Sequence, residues 1–142
     1  FYIGGTKVGA MFGEAVVFTH GNMPKNFVTL VKQHGALLAK GWLLGVQFDT
    51  LFTDDLYCRI ARHANDAADR IREVLVERGY MLTFDAPTNQ IFITLDNATS
   101  ERLQRNVRLG FMEKADDTHT VMRICTSWAT TDEQVEQLIA LL

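Results

Sequence analysis

Proline and cysteine are scarce here, two of each in 142 residues. Two thiols, Cys58 and Cys125, cannot build the disulfide framework of a small secreted domain, and packed, reduced thiols in a cytoplasmic protein are the simpler reading. The four histidines (His20, His34, His63 and His119) lie too far apart in sequence to suggest a metal site. An excess of positive charge is also missing. Fourteen Lys and Arg against seventeen Asp and Glu leave a net charge of −3, with the basic residues spread along the chain. That distribution argues against nucleic acid, whose binders need a basic patch. No apolar run is long enough to cross a bilayer, and the longest candidate, ALLAKGWLLGVQF, is interrupted by Lys40 and two glycines. The opening FYIGGTK lacks the basic start of a signal peptide.

What is present is enough hydrophobic residue, 47%, for one core. Phe1 to Ile3 reads as a short strand, GGT as a turn, and EAVVFT as a second strand rich in β-branched residues. A chain opening at Phe1 inside a strand reads as a piece of something longer. PKNFVTLVKQHG reads as a helix entered at Pro24 and ended by Gly35. ALLAKGWLLGVQFDTLF has little polar face, which predicts a helix buried between layers or subunits. From Asp54 or Asp55 a long helix runs to Gly79, with Ile60, Ala64, Ala67, Ile71, Val74 and Leu75 as its apolar stripe. Its other face offers Arg62–Asp66 and Asp66–Arg70 as ion pairs one turn apart.

Beyond Gly79, YMLTF and QIFITL read as strands, with Ile91, Ile93 and Leu95 on one face. TSERLQRNVRL reads as a helix over 99–109 capped by Thr99. GFMEKADD and HTVMRICTSW read as two more strands, and TTDEQVEQLIALL as a closing helix whose capping box is Thr131 with Gln134 or Thr130 with Glu133. The order from about residue 55 is helix, two strands, helix, two strands, helix. That is an α+β layout with helices on one face of a mainly antiparallel sheet. Residues 1–36 look like the tail of a different sheet, 37–54 like a connecting helix, and 55–142 like a small C-terminal domain.

Lys7 is the residue that raises a chemical question. It follows a strand and sits among Gly4, Gly5, Thr6, Gly9, Ala10 and Gly13. GGTK is not a phosphate-binding Walker loop, because the spacing is wrong and no helix follows. One reading is a turn with a solvated charge. The other is an amine in a packed pocket, poised to form a Schiff base on a short turn with room for a flat cofactor.

GGTKVGAMFGEA, followed by LVKQHGALLAKGWLLGVQF, DDLYCRIARHAN, APTNQIF and RICTSWATTDEQV, resembles the C-terminal part of the threonine aldolase and β-eliminating lyase family, most closely the low-specificity L-threonine aldolases. The resemblance covers essentially the whole chain, in order. It implies fold type I, an α/β architecture. The chain would be the end of a large domain that binds pyridoxal 5'-phosphate, followed by a small C-terminal α+β domain. It implies cleavage of L-threonine and other 3-hydroxy amino acids to glycine and an aldehyde, a small-molecule substrate, no nucleic acid or membrane partner, and a homodimer or homotetramer. By the same resemblance Lys7 matches the Schiff-base lysine and Thr6 a phosphate contact. Lys32 falls at a basic position near the cofactor, and Arg123 at the arginine that holds the substrate α-carboxylate. Motifs for the rest of the cofactor cradle are absent from this stretch, so the chain alone is expected to be inactive. β-Elimination on an amino acid and a non-catalytic folding or oligomerisation role stay open as alternatives.

Overall fold

The computed structural model describes all 142 residues, which divide into two units, Phe1–Arg59 and Ile60–Leu142. In the first, strand β1 (Tyr2–Gly4) pairs antiparallel with β2 (Glu14–Val16), Tyr2 opposite Val16 and Gly4 opposite Glu14. A single 3-10 turn, Thr6–Val8, lies between them. Helix α1 (Phe27–Gln33) starts three residues after Pro24, whose carbonyl accepts the Phe27 N–H at 3.0 Å. It ends as the sequence predicts. Gly35 adopts φ +70°, and the N–H groups of Gly35 and Ala36 return to the Lys32 and Val31 carbonyls, both at 3.0 Å. Only a residue comfortable at positive φ closes a helix this way.

The helix expected over 37–54 is shorter. Helix α2 (Trp42–Phe52) is preceded by tight turns, Gly41 N–H to Leu38 O and Leu43 N–H to Lys40 O, both 3.1 Å. It is not buried all round either. Phe48 and Leu51 are covered, whereas Trp42, Val46 and Phe52 are at least half exposed. Only one side of this helix meets the small first unit, whose buried hydrophobics are Val8, Phe48 and Leu51. After α2 the backbone turns through Asp54 and Asp55, both left-handed at φ 50° and 56°, a conformation Asp tolerates better than most residues. These two residues therefore stand before the long helix, which begins at Leu56.

Helix α3 (Leu56–Glu77) crosses from the first unit into the second. Gly79, at φ +77°, terminates it, with Tyr80 N–H on Leu75 O at 2.9 Å. The rest of the second unit is β3 (Met81–Leu82), β4 (Gln90–Asp96), α4 (Asn97–Gln104), β5 (Gly110–Lys114), β6 (His119–Cys125) and α5 (Asp132–Leu141). The strands form one antiparallel sheet in the order β3-β4-β6-β5. Ile91 faces Ile124 and Ile93 faces Met122 across β4 and β6. With Ile71 and Leu75 of α3, Leu103 of α4, and Val135 and Leu138 of α5, they make the core. Burial of each large side chain contributes about 1.5–3 kcal/mol. Ile93, with no exposed surface, is a direct test: Ile93→Ala should cost about 3 kcal/mol and lower the urea midpoint accordingly.

Two helix starts sharpen the sequence reading. Helix α4 is capped by Asp96, not Thr99: the Asp96 carboxylate accepts the Thr99 N–H at 2.8 Å, and that bond holds its pKa below the usual value. Thr99 is the third residue of the first turn and supplies the donor. Helix α5 uses Thr131 with Gln134, both reciprocal bonds present. Thr130 instead accepts the Ser127 N–H at 2.9 Å. The expected ion pairs within α3 give way to tertiary ones, since Arg70 reaches Asp132, at 2.7 Å, and Glu136 on α5.

Candidate active site

The turn that carries Lys7 is fixed by its own backbone. Gly5 O accepts the N–H groups of Val8 and Ala10 at 3.1 and 2.9 Å, and Gly9 leaves the turn at φ +99°. It is also seated on α2. A Cβ on Gly5 would lie 2.6 Å from Ala10 Cβ and 3.0 Å from Phe48 Cζ, and one on Gly13 would lie 2.0 Å from Leu44 Cδ2. These two glycines therefore serve close packing against α2, while Gly4 has open space where its side chain would be. Further bonds brace the hairpin: Tyr57 donates to Gly4 O at 2.9 Å, and Gln47 Oε1 accepts the Met11 N–H at 2.7 Å. Val8 is buried beneath, and Lys7 and Thr6 point outward, exposed, their side chains without hydrogen-bond or ion-pair partners. Within this chain Lys7 is therefore solvated and not enclosed in a packed pocket, while its unpaired amine, the Thr6 hydroxyl and the open space at Gly4 are chemically compatible with an aldehyde cofactor carrying a phosphate. Lys32 is exposed in the last turn of α1, where a cation suits the helix dipole, and His20 and His34 are exposed.

Arg123 belongs to the second unit. Its neighbours Met122 and Ile124 face the core, so Arg123 falls on the opposite face of the sheet, half-buried. No carboxylate pairs with it. Its Nη1 donates to Gln90 Oε1 at 3.2 Å. Residue 123 also borders a cleft of about 300 Å³ whose lining includes the core residues Ile71, Leu109 and Val135, together with Arg108, Thr130 and Gln134. The chain leaving β6 along this cleft is tied down. Thr126 Oγ1, buried, donates to Ala64 O at 2.6 Å, and Asn89 Nδ2 donates to Thr126 O at 2.7 Å. His63 bonds Thr130 O through Nε2 at 2.8 Å. Cys58 and Cys125 correct another expectation, since both are free and exposed. Cys125 lies on the same non-core side of β6 as Arg123 and lines the cleft.

No protein-family model matches the chain. Two curated relatives do. The chain is 30% identical over 136 residues to the low-specificity L-threonine aldolase of Pseudomonas aeruginosa, and 30% identical over 138 residues to that of a second Pseudomonas species. Those stretches are 95% and 96% of this chain. Among solved structures, the threonine aldolase of Leishmania major superposes with a TM-score of 0.93 over 99% of the chain at 38% identity. The chain belongs to the threonine aldolase family. It spans 38% and 39% of the length of the two curated relatives and 41% of the Leishmania chain. A serine palmitoyltransferase from Sphingomonas wittichii shares the fold over 70% of the chain, with a TM-score of 0.54 at 19% identity. With the threonine aldolase match, the fold type I assignment drawn from the sequence holds, and the sheet of the second unit is antiparallel as expected.

The geometry adds residues that hold the candidate side chains and their surroundings. Gln47, Phe48 and Tyr57 support the turn of Lys7, Gln90 bonds Arg123, and Asn89 and His63 bond the segment after β6. None carries a local sequence signal, because each acts through a partner at least 30 residues away. No helix is long and apolar enough to cross a membrane.

Proposed function

We propose that this chain works within a protein of its relatives' length as a pyridoxal-phosphate-dependent aldolase. That enzyme cleaves L-threonine and other 3-hydroxy amino acids to glycine and an aldehyde. The supporting observation is the free amine of Lys7 on a braced turn, in a chain that matches threonine aldolases along nearly all its length. Lys7 Nζ would hold the cofactor covalently and, as a free amine, would carry a proton. The Thr6 hydroxyl would contact the cofactor phosphate, with the Lys32 ammonium as a further cation near the cofactor. Arg123 offers the α-carboxylate a planar fork of donors that no protein carboxylate occupies. When bound, the cofactor supplies an electron sink for the pair released from the Cα–Cβ bond. The substrate 3-hydroxyl gives up its proton, the bond breaks, the aldehyde leaves, and Cα takes a proton to give glycine.

The first unit supports a role within a larger assembly. Met11, Phe12, Trp42, Val46 and Phe52 are exposed around a core of three buried hydrophobics, a surface that suits contact with further protein, including a second copy in a homodimer or homotetramer. Residues 1–142 alone are accordingly inactive in this reading. Two separate free thiols suit a reducing compartment such as the cytoplasm. Product analysis tests the reaction. Threonine should give glycine and acetaldehyde in equal amounts with the full-length protein and neither with residues 1–142 alone. Ammonia and a 2-oxo acid from threonine would point to β-elimination instead.

A further inference from the structure

Arg123 is held by a neutral group. Gln90 opens β4, Arg123 sits on the adjacent β6, and the Gln90 side-chain oxygen accepts from Nη1 at 3.2 Å. On the other side, Gly110 of β5 lies opposite Arg123 in register, and a Cβ there would be 3.6 Å from Nε. A methyl group would just fit, and anything larger would press on the guanidinium. One neighbour thus anchors a corner of the fork while the other leaves its flank open. An amide oxygen can do this without neutralising the charge. A carboxylate in the same place would form a charge-assisted pair with the guanidinium and compete with an incoming substrate carboxylate.

We propose that Gln90 is a positioning residue for substrate binding: it fixes the guanidinium of Arg123 on the non-core face of the sheet and, being uncharged, leaves its charge for the substrate carboxylate. This rests on the reading of Arg123 as the carboxylate clamp. The test is a double-mutant cycle in the full-length holoenzyme, following KM and kcat for threonine. Gln90→Glu is nearly isosteric and should raise KM about tenfold or more, with kcat within about threefold, the equivalent of one competing ion pair. Gln90→Met, which loses the acceptor but adds no charge, should raise KM by a smaller factor, about threefold. In an Arg123→Ala background, Gln90→Glu should change KM by less than about twofold, since the group it acts through is gone. An equal rise in KM in both backgrounds, or no rise in either, overturns the proposal. If Arg123→Ala raises KM and Gln90→Glu does not, Gln90 alone is misassigned. If Arg123→Ala leaves KM unchanged, the clamp itself is wrong and Gln90 falls with it. Should the glutamate variant prove insoluble, Gln90→Met in the two backgrounds decides on the same criterion.

Discussion

Lys7→Ala in the full-length enzyme is expected to reduce threonine cleavage by about four orders of magnitude or more, the scale on which removal of one member of a concerted catalytic unit acts. The same variant should lose the visible absorbance of the lysine-bound cofactor. Two features set the size of this effect. The turn around Lys7 is held by Gly5 O, by the seat on Phe48 and Leu44, and by Tyr57 and Gln47. Removing a side chain that points outward from this frame leaves the frame intact, so loss of activity reports on the amine and not on folding. A urea midpoint within error of the parent's separates the two causes, and an unfolded Lys7→Ala protein would count against this description of the turn.

The second large effect is at Arg123. Arg123→Ala should lower kcat/KM for threonine by about two orders of magnitude, roughly 3 kcal/mol, mostly through KM. Arg123→Lys keeps the charge but loses the planar fork, and should recover only part of the loss. The contrast is informative because Arg123 has no carboxylate partner in the fold. Removing it therefore strands no buried acid, and the stability cost should be small. Equal effects of both variants on stability and activity would mean that Arg123 is a structural residue.

Much of this arrangement is legible in the sequence, and the reasons are local. Ile91, Ile93 and Leu95 alternate because one face of β4 is buried, and the positive φ at Gly35 and Gly79 is written in the residue type. The box of Thr131 and Gln134 needs only a three-residue spacing. Where two local candidates compete, sequence alone does not decide. Asp96 and Thr99 are both good caps, and the carboxylate at Asp96 takes the role because β4 delivers it to the helix start. The start of α2 is obscured because a run of apolar residues reads the same in a helix and in the turns before it. The supports of both candidate sites are silent in the sequence for a different reason. Gln47 meets Met11, His63 meets Thr130 and Gln90 meets Arg123 only through the tertiary fold. The glycines after β1 suggest space for a ligand, and the fold assigns Gly5 and Gly13 to contact with α2 instead. Lys7 itself is recognisable only through the blocks around it, since a solvated lysine on a glycine turn has the same composition.

Whether Lys7 is the covalent anchor of the cofactor is decided by fixing that bond. The full-length protein, loaded with pyridoxal phosphate, is reduced with borohydride, digested, and its lysine peptides are weighed. Five lysines are available, Lys7, Lys25, Lys32, Lys40 and Lys114, together with those elsewhere in the full-length protein. The phosphopyridoxyl mass is expected on the peptide containing Lys7, close to one per chain, and should be lost in Lys7→Ala. The modification on another lysine, or on none, would contradict that role.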